Sequence, residues 1–296
     1  MASIQYHMMM TYYKVMKKVR KRVELDPIRL RLYMGIISSF NAPFVPRKVS
    51  QIKLGEVPTD KIDFLEDSPL ILFFIHGGAF AFGSAKMHHA MASRLSQQLK
   101  APAYIPAYRQ APEHAFPMPL NDCYHAYHEL IRLYPDKKIV VIGDSAGGNL
   151  AASLCLKLTE NKSKIPESLV LLSPWLDLDR NAESVLKNAD DESLFDCNDL
   201  MAYAQLYVQG QDTTDPLVSP LRGNLSFMPR TLVQVAANEL LYYDGLRFAE
   251  KLQENGVDVK LEVEQNLFHS WQLVPAFLPA AKRSLNNVAS FIQAAQ

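Results

Sequence analysis

The sequence lacks a net charge, a cysteine framework and a long apolar run. Its 31 Lys and Arg residues balance 31 Asp and Glu residues, which argues against nucleic acid as the main partner. The three cysteines, Cys123, Cys155 and Cys197, form neither an even set nor a C-x-x-C pair. We therefore interpret them as reduced thiols and expect a cytoplasmic location. No apolar run approaches the ~20 residues of a membrane span.

The first 26 residues (MASIQYHMMMTYYKVMKKVRKRVELD) do not resemble a signal peptide, because the basic residues follow the apolar patch and no small-residue cleavage site appears. Tyr12, Met16, Val19 and Val23 have helical spacing among lysines and arginines, which predicts a basic amphipathic helix. Two interpretations are open. We favour packing of the apolar stripe on the rest of the protein over contact with an anionic membrane.

Beyond this segment, apolar strand patterns alternate with amphipathic helical ones. LILFFIH (70–76), KIVVIG (138–143) and TLVQVAAN (231–238) are typical of buried strands. The stretches between successive strands have helical periodicity, which indicates parallel strands joined by crossover helices. The sequence thus predicts an α/β fold with a mostly parallel sheet and flanking helices.

Residues 180–215 interrupt the alternation, because they are polar, acidic and mostly helical in pattern. We predict that they form a helical cap inserted above the sheet. The core then comprises residues 46–179 and 216–296, and residues 1–45 form N-terminal helices that belong to the cap.

One serine lies between a strand pattern and a helix pattern, in the segment GDSAG (143–147). This segment matches G-x-S-x-G, in which a sharp turn forces the serine to a positive φ and needs small residues two positions away on each side. The turn exposes the hydroxyl at the positive end of a helix. Ser145 is therefore a candidate nucleophile.

The other ingredients of acyl transfer follow three other strands. His76-Gly77-Gly78 follows the first, Glu239 follows TLVQVAAN, and His269 comes after VDVKLEVEQNLF. Because the carboxyl ends of parallel strands share one edge, we expect these groups to converge on Ser145. The order Ser145, Glu239, His269 is that of α/β-hydrolases. Asp244, a turn further along, is the alternative acid.

The longer motifs resemble those of the hormone-sensitive-lipase-type esterases of the α/β-hydrolase superfamily. The resemblance rests on GDSAGGNLA, HGGAFAFGS, AYRQAPEHAFP (107–117), LLSPWLDL and PLVSPL, and runs from about residue 50 to about residue 290. It implies an α/β-hydrolase fold, with Ser145 as nucleophile, His269 as base and Glu239 as acid. It also implies an oxyanion hole formed by the N–H groups of Gly77, Gly78 and Ala146.

The chain departs from the family pattern at two positions. Ala79 stands where the family usually has a third glycine, and Glu239 stands where the common form has the aspartate of D-P-L-x-D. Both features resemble a branch whose members include monoterpene lactone hydrolases.

We expect a serine carboxylesterase that hydrolyses small esters with short to medium acyl chains through an acyl-serine intermediate. A lactone hydrolase with the same triad and a membrane-surface lipid esterase are the alternatives, and a homodimer is left open. A non-catalytic receptor resembles this family but has lost the histidine, so His269 argues against that reading. We expect no cofactor and no metal, because His125 and His128 share a helix face without an evident third ligand.

Overall fold

The computed structural model describes residues 26–32, 48–64, 68–179, 196–274 and 278–294. The predicted basic helix and the first part of the predicted cap, residues 180–195, lie outside these ranges. Within them, no helix is long and apolar enough to cross a membrane.

Eight strands form one sheet: β1 (Val49–Leu54), β2 (Val57–Ile62), β3 (Leu70–Ile75), β4 (Ala103–Pro106), β5 (Lys138–Asp144), β6 (Ser168–Leu172), β7 (Arg230–Ala236) and β8 (Val259–Glu264). The longer helices are α1 (Ala85–Leu99), α2 (Met118–Leu133), α3 (Ala146–Glu160), α4 (Cys197–Val208), α5 (Tyr242–Glu254) and α6 (Pro279–Gln293).

The strand order is β1-β2-β4-β3-β5-β6-β7-β8. The pairs from β4 through β8 are parallel, whereas β1 and β2 pair antiparallel with each other, and β2 pairs antiparallel with β4. The mostly parallel sheet with flanking helices confirms the prediction. The antiparallel hairpin at the edge was not anticipated from the sequence.

The sheet separates two apolar cores, because successive residues of a strand point to opposite faces. In β3, Ile71 and Phe73 belong to the core that α2, α3 and α5 cover. Leu72 and Phe74 belong to the core beneath α1 and α6. Both faces of β3 are buried, which explains its uninterrupted apolar sequence.

Helix α4 lies within the predicted cap segment. It begins with a reciprocal capping box, in which the Asp196 carboxylate accepts the N–H of Asp199 and the Asp199 carboxylate accepts the N–H of Asp196. These bonds satisfy two backbone donors that a helix N-terminus leaves unpaired. Tyr203 and Tyr207 on α4 are buried against the core.

Candidate active site

Ser145 sits in the predicted sharp turn between β5 and α3. Its φ of 53° and ψ of −123° place it in a region that non-glycine residues rarely adopt. A Cβ on Gly143 would lie 2.3 Å from the carbonyl oxygen of Gly147, and a Cβ on Gly147 would lie 2.1 Å from that of Ile75. The glycines two positions before and after Ser145 are therefore required by close backbone approach, as the pattern predicted.

The three predicted side chains come together at the carboxyl end of the sheet. Nε2 of His269 lies 2.9 Å from Oγ of Ser145, and Nδ1 of His269 lies 2.9 Å from Oε2 of Glu239. Because a carboxylate can only accept, Nδ1 carries the proton and Nε2 has a lone pair for the serine hydroxyl. His269 and Glu239 are buried, while Ser145 is partly exposed.

Glu239 and Asp244, the two candidate acids, have different partners. Oε1 of Glu239 accepts the N–H of Ala236 at 3.0 Å, which orients the carboxylate toward His269. Oδ2 of Asp244 accepts the N–H groups of Leu176 and Asp177 at 2.6 and 3.0 Å. Asp244 thus ties α5 to the segment after β6, and the carboxylate on Nδ1 of His269 is that of Glu239.

The segment HGGAFAFGS after β3 (residues 76–84), here called the glycine loop, contains a run of positive φ angles: 118° at Gly78, 48° at Ala79 and 60° at Phe80. Gly77 differs from its expected role, because its N–H donates to Oδ1 of Asp144 at 2.9 Å. This bond contradicts the prediction that Gly77 donates to an oxyanion. A Cβ at position 77 would lie 2.5 Å from Oδ2 of Asp144, so the glycine is needed to admit that carboxylate.

The AYRQAPE stretch supports this loop, a role that the sequence does not predict. The hydroxyl of Tyr108 donates to the carbonyl of His76 at 2.7 Å, and the side-chain amide of Gln110 donates to the carbonyl of Gly83 at 2.7 Å. The N–H of Ala111 donates to the carbonyl of Phe80 at 3.0 Å. Because three residues of AYRQAPE bond to the glycine loop, the two motifs occur together.

His76 acts within the loop rather than in the reaction. Its Nδ1 donates to the carbonyl of Gly77 at 2.9 Å, and its ring stacks on Tyr108 with centroids 4.2 Å apart. Burial, together with nearby His88, lowers the pKa of His76 to about 4. The ring is therefore neutral near pH 7, which agrees with a role in shaping the loop.

Aromatic rings connect the glycine loop to helix α4. Phe80 stacks on Tyr207 of α4 with centroids 3.8 Å apart and planes 8° apart, and Trp175 approaches Phe80 at 5.6 Å. Phe82 contacts Tyr203 of α4 with centroids 5.3 Å apart. Helix α4 thus packs directly on the glycine loop.

The N-terminal residues 27–32 are helical, and one side chain reaches the same loop. Nε of Arg31 donates to the carbonyl of Ala81 at 2.5 Å, and Nη2 donates to the carbonyl of Ala111. The guanidinium also forms a two-pronged ion pair with Glu113, at 2.7 and 2.8 Å. The N-terminal segment is therefore fastened to the glycine loop and to its support.

The structure brings no metal ligands together in the part of the chain that it describes. No group of three or more His, Cys, Asp or Glu side chains there is placed to hold an ion. His128 and His125 lie on α2, where the ring of His128 contacts Tyr124 at 4.4 Å.

Known proteins share this fold and these sequence features. Residues 72–273 match a family described as an alpha/beta hydrolase fold. An esterase of Acinetobacter venetianus is 33% identical over 246 residues, which cover 82% of this chain and 81% of that one. An acetyl-hydrolase of Streptomyces hygroscopicus is 32% identical over 76% of this chain and 75% of its own. A crystal structure of an esterase from the bacterial hormone-sensitive lipase family superposes with a TM-score of 0.89 at 28% identity, covering 98% of both chains.

The fold, in which a serine, a histidine and a carboxylate converge at one edge of the sheet, places the chain in the α/β-hydrolase class. Within that class, the chain belongs to the hormone-sensitive-lipase-type esterases, as its motifs predicted. It is a carboxylic ester hydrolase.

Proposed function

We propose that the protein hydrolyses small carboxylic esters with short to medium acyl chains through an acyl-serine intermediate. The observation that carries this proposal is the continuous chain Ser145–His269–Glu239, with 2.9 Å at each step. A hydroxyl needs a neighbouring base to act as a nucleophile, and the partly exposed serine has one within hydrogen-bond distance.

The first step forms the acyl-enzyme. Oγ of Ser145 attacks the ester carbonyl carbon while its proton passes to Nε2 of His269, and the C=O electron pair moves onto oxygen. When the carbonyl re-forms, the bond to the alcohol oxygen breaks and Nε2 returns the proton to that oxygen. Glu239 stabilises the imidazolium between these events.

The second step releases the acid. His269 removes a proton from water, and the resulting hydroxide oxygen attacks the acyl carbon. The bond to Oγ breaks, and Nε2 protonates Ser145. Each cycle consumes one ester and one water and yields one acid and one alcohol.

We assign the oxyanion hole to the backbone N–H groups of Gly78, Ala79 and Ala146. Gly78 and Ala79 follow Gly77, whose own N–H donates to Asp144. The N–H groups of Gly78, Ala79 and Ala146 have no acceptor among the described residues. Ala146 is the first residue of α3, and the first N–H groups of a helix have no partner within it. Donors placed this way stabilise negative charge only as it develops.

The cap supports the preference for small acyl groups. In the proposed division, residues 1–45 and 180–215 form the cap over a core of residues 46–179 and 216–296. Phe80, Phe82, Tyr203 and Tyr207 are buried against one another where α4 meets the glycine loop, and we infer that they limit the room for an acyl chain. We also infer a cytoplasmic location from the three cysteines, which show no C-x-x-C pattern.

A panel of 4-nitrophenyl esters with acyl chains from two to sixteen carbons tests this function, with a set of lactones beside it. We expect the highest kcat/KM at the short end and a steep fall for long chains. A preference for the longest chains would contradict the assigned substrate class. Lactone turnover above that of every open-chain ester would assign the same chemistry to cyclic esters instead.

A further inference from the structure

His88, in the first turn of α1, is buried behind the glycine loop, and each of its ring nitrogens lies near an oxygen. Nδ1 donates to the carbonyl of Ser84 at 3.0 Å. Nε2 lies 2.8 Å from Oδ1 of Asp144, which is buried as well. His88 plays no part in the proton transfers described above, yet it is a buried titratable group next to the residue that precedes Ser145.

The surroundings of His88 favour its charged form. Burial by itself lowers the pKa of His88, but the charge and hydrogen bonding of Asp144 and the Ser84 carbonyl outweigh it and raise that pKa above 6.5. Burial likewise opposes ionisation of Asp144, but His88 and the Gly77 N–H hold its pKa below its usual range. The 2.8 Å separation and these two pKa directions favour a buried ion pair.

Two other titratable groups, His76 and Tyr108, interact with Asp144; burial raises the pKa of Tyr108 well above its ordinary value, so its hydroxyl stays neutral. The ring of His76 lies 5.7 Å from that of His88, and its lowered pKa keeps it neutral. His89, the next residue on α1, has its own partner, because its Nε2 lies 2.8 Å from Oδ2 of Asp60 on β2. His88 is therefore the positive group that balances Asp144.

The oxygen of Asp144 that contacts His88 also accepts the Gly77 N–H at 2.9 Å. One carboxylate thus joins three elements: the nucleophile turn through the chain, the glycine loop through Gly77, and α1 through His88. Leaving a buried carboxylate without its counter-charge is strongly unfavourable, so the position of Gly77 depends on His88.

We propose that His88 is a positioning residue for ester hydrolysis: through Asp144 and Gly77, it holds the N–H groups of Gly78 and Ala79 at the oxyanion position beside Ser145. This inference rests on the proposed function. In this proposal His88 does not contact the substrate. It affects the stabilisation of the transition-state charge rather than the binding of the substrate.

The kinetic test compares His88→Gln with His89→Gln, a matched control one residue away on α1. For His88→Gln we expect kcat for 4-nitrophenyl acetate to fall about ten-fold or more with little change in KM, because a misplaced oxyanion donor weakens only the transition state. Binding of a trifluoromethyl ketone, which forms an oxyanion on Ser145, weakens in parallel. The control keeps both values. An unchanged kcat, or a rise in KM alone, would overturn the proposal.

A double variant separates positioning from general destabilisation. His88→Gln combined with Asp144→Asn replaces the ion pair by two neutral amides, one of which still offers an oxygen to Gly77. We expect the double variant to be no slower than the slower single variant, because the two residues act as one unit. Multiplied losses would contradict a shared role. Thermal melting of each variant identifies losses that come from unfolding.

A measurement on the unaltered protein covers the case in which His88 variants do not fold. In protein labelled with ¹⁵N-histidine, the imidazole of His88, one of eight histidines, should carry protons on both nitrogens at pH 6, because its pKa is raised above 6.5. Absence of such a signal would overturn the ion pair and the proposal with it. Hydrolysis that survives Ser145→Ala would contradict the proposed function instead, and would leave this signal unchanged.

Discussion

Ser145 holds a backbone conformation that its glycine neighbours impose, and its hydroxyl faces His269. We predict that Ser145→Ala lowers the rate of ester hydrolysis by about 10⁴-fold or more, because nucleophile and base act as one unit. The variant should melt at nearly the wild-type temperature. A fluorophosphonate probe should label the wild-type protein at this serine, as measured by peptide mass spectrometry. Labelling of another serine would refute the assignment.

The two buried carboxylates predict different losses. Glu239→Gln should keep the fold but lower kcat by about 10³-fold or more, because an amide favours the wrong tautomer of His269. Glu239→Asp should be intermediate, since it keeps the charge but shortens the reach. Steady-state kinetics beside thermal melting measures both effects.

Asp244→Asn is the matched comparison. Its carboxylate accepts two buried N–H groups from Leu176 and Asp177, so the change should lower the free energy of unfolding by about 1–3 kcal/mol. The folded fraction should retain most of its kcat. The opposite pattern, with a crippled Asp244→Asn and a nearly silent Glu239→Gln, would make Asp244 the acid.

The sequence predicted the three catalytic candidates because each follows a strand of a parallel sheet, and strand ends converge. It did not predict the bond of Gly77, since its acceptor, Asp144, lies 67 positions away. Gly77 and Gly78 are adjacent and identical in the sequence, yet Gly77 admits the Asp144 carboxylate and Gly78 adopts a φ of 118°. Side-chain direction separates their roles.

At the scale of elements, α4 contacts the glycine loop through the stacked rings of Phe80 and Tyr207 and through the contact of Phe82 with Tyr203. We predict that Tyr207→Ala lowers kcat about ten-fold, because Ala79 and Phe80 hold strained positive φ angles that persist only when the surroundings enforce them. Tyr207→Phe keeps the ring and should keep the rate. Equal losses in both variants would assign the effect to the hydroxyl instead.

The N-terminal segment reaches the same loop through Arg31. We predict that Arg31→Met lowers kcat about three-fold to ten-fold, since the guanidinium bonds the carbonyl of Ala81 in the glycine loop and that of Ala111 in the AYRQAPE stretch at once. Glu113→Gln removes the charge of its partner but leaves both carbonyl bonds, so it should cost less. The Glu113 side chain is 44% exposed, and exposed ion pairs contribute little. A larger loss in Glu113→Gln would contradict this ranking.

Elements with a strong sequence periodicity could be predicted, whereas the segments that they contact could not. The strands from β3 to β8 and the helices between them followed from alternating patterns. β1 and β2 lie at one side of the sheet and are only partly buried, so their sequence lacks an apolar run. The support that AYRQAPE gives to the glycine loop depends on contacts between segments that are distant along the chain.

At the scale of the whole molecule, the buried histidines link stability to pH in opposite directions. His76 has a pKa of about 4 when folded and about 6.5 when unfolded. Between these values the unfolded chain binds a proton that the folded protein does not, so stability falls on acidification. Its full shift corresponds to about 3 kcal/mol. His88 has a raised pKa when folded, so its contribution is complete below pH 6.5 and is lost as the pH rises through the folded value.

The two effects together predict that His76 and His88 contribute most to the stability of the protein near pH 6.5. Urea unfolding should therefore be measured from pH 4.5 to 9. We expect the free energy of unfolding of the wild type to exceed that of His88→Gln by more near pH 6.5 than in alkaline solution. In acid the variant should also lose less stability than the wild type, because without the neighbouring charge of His88 the pKa of His76 rises toward its ordinary value. His89→Gln, whose ring pairs with Asp60, should keep the wild-type profile. A difference between wild type and His88→Gln that stays constant across this range would show that His88 is neutral in the folded protein.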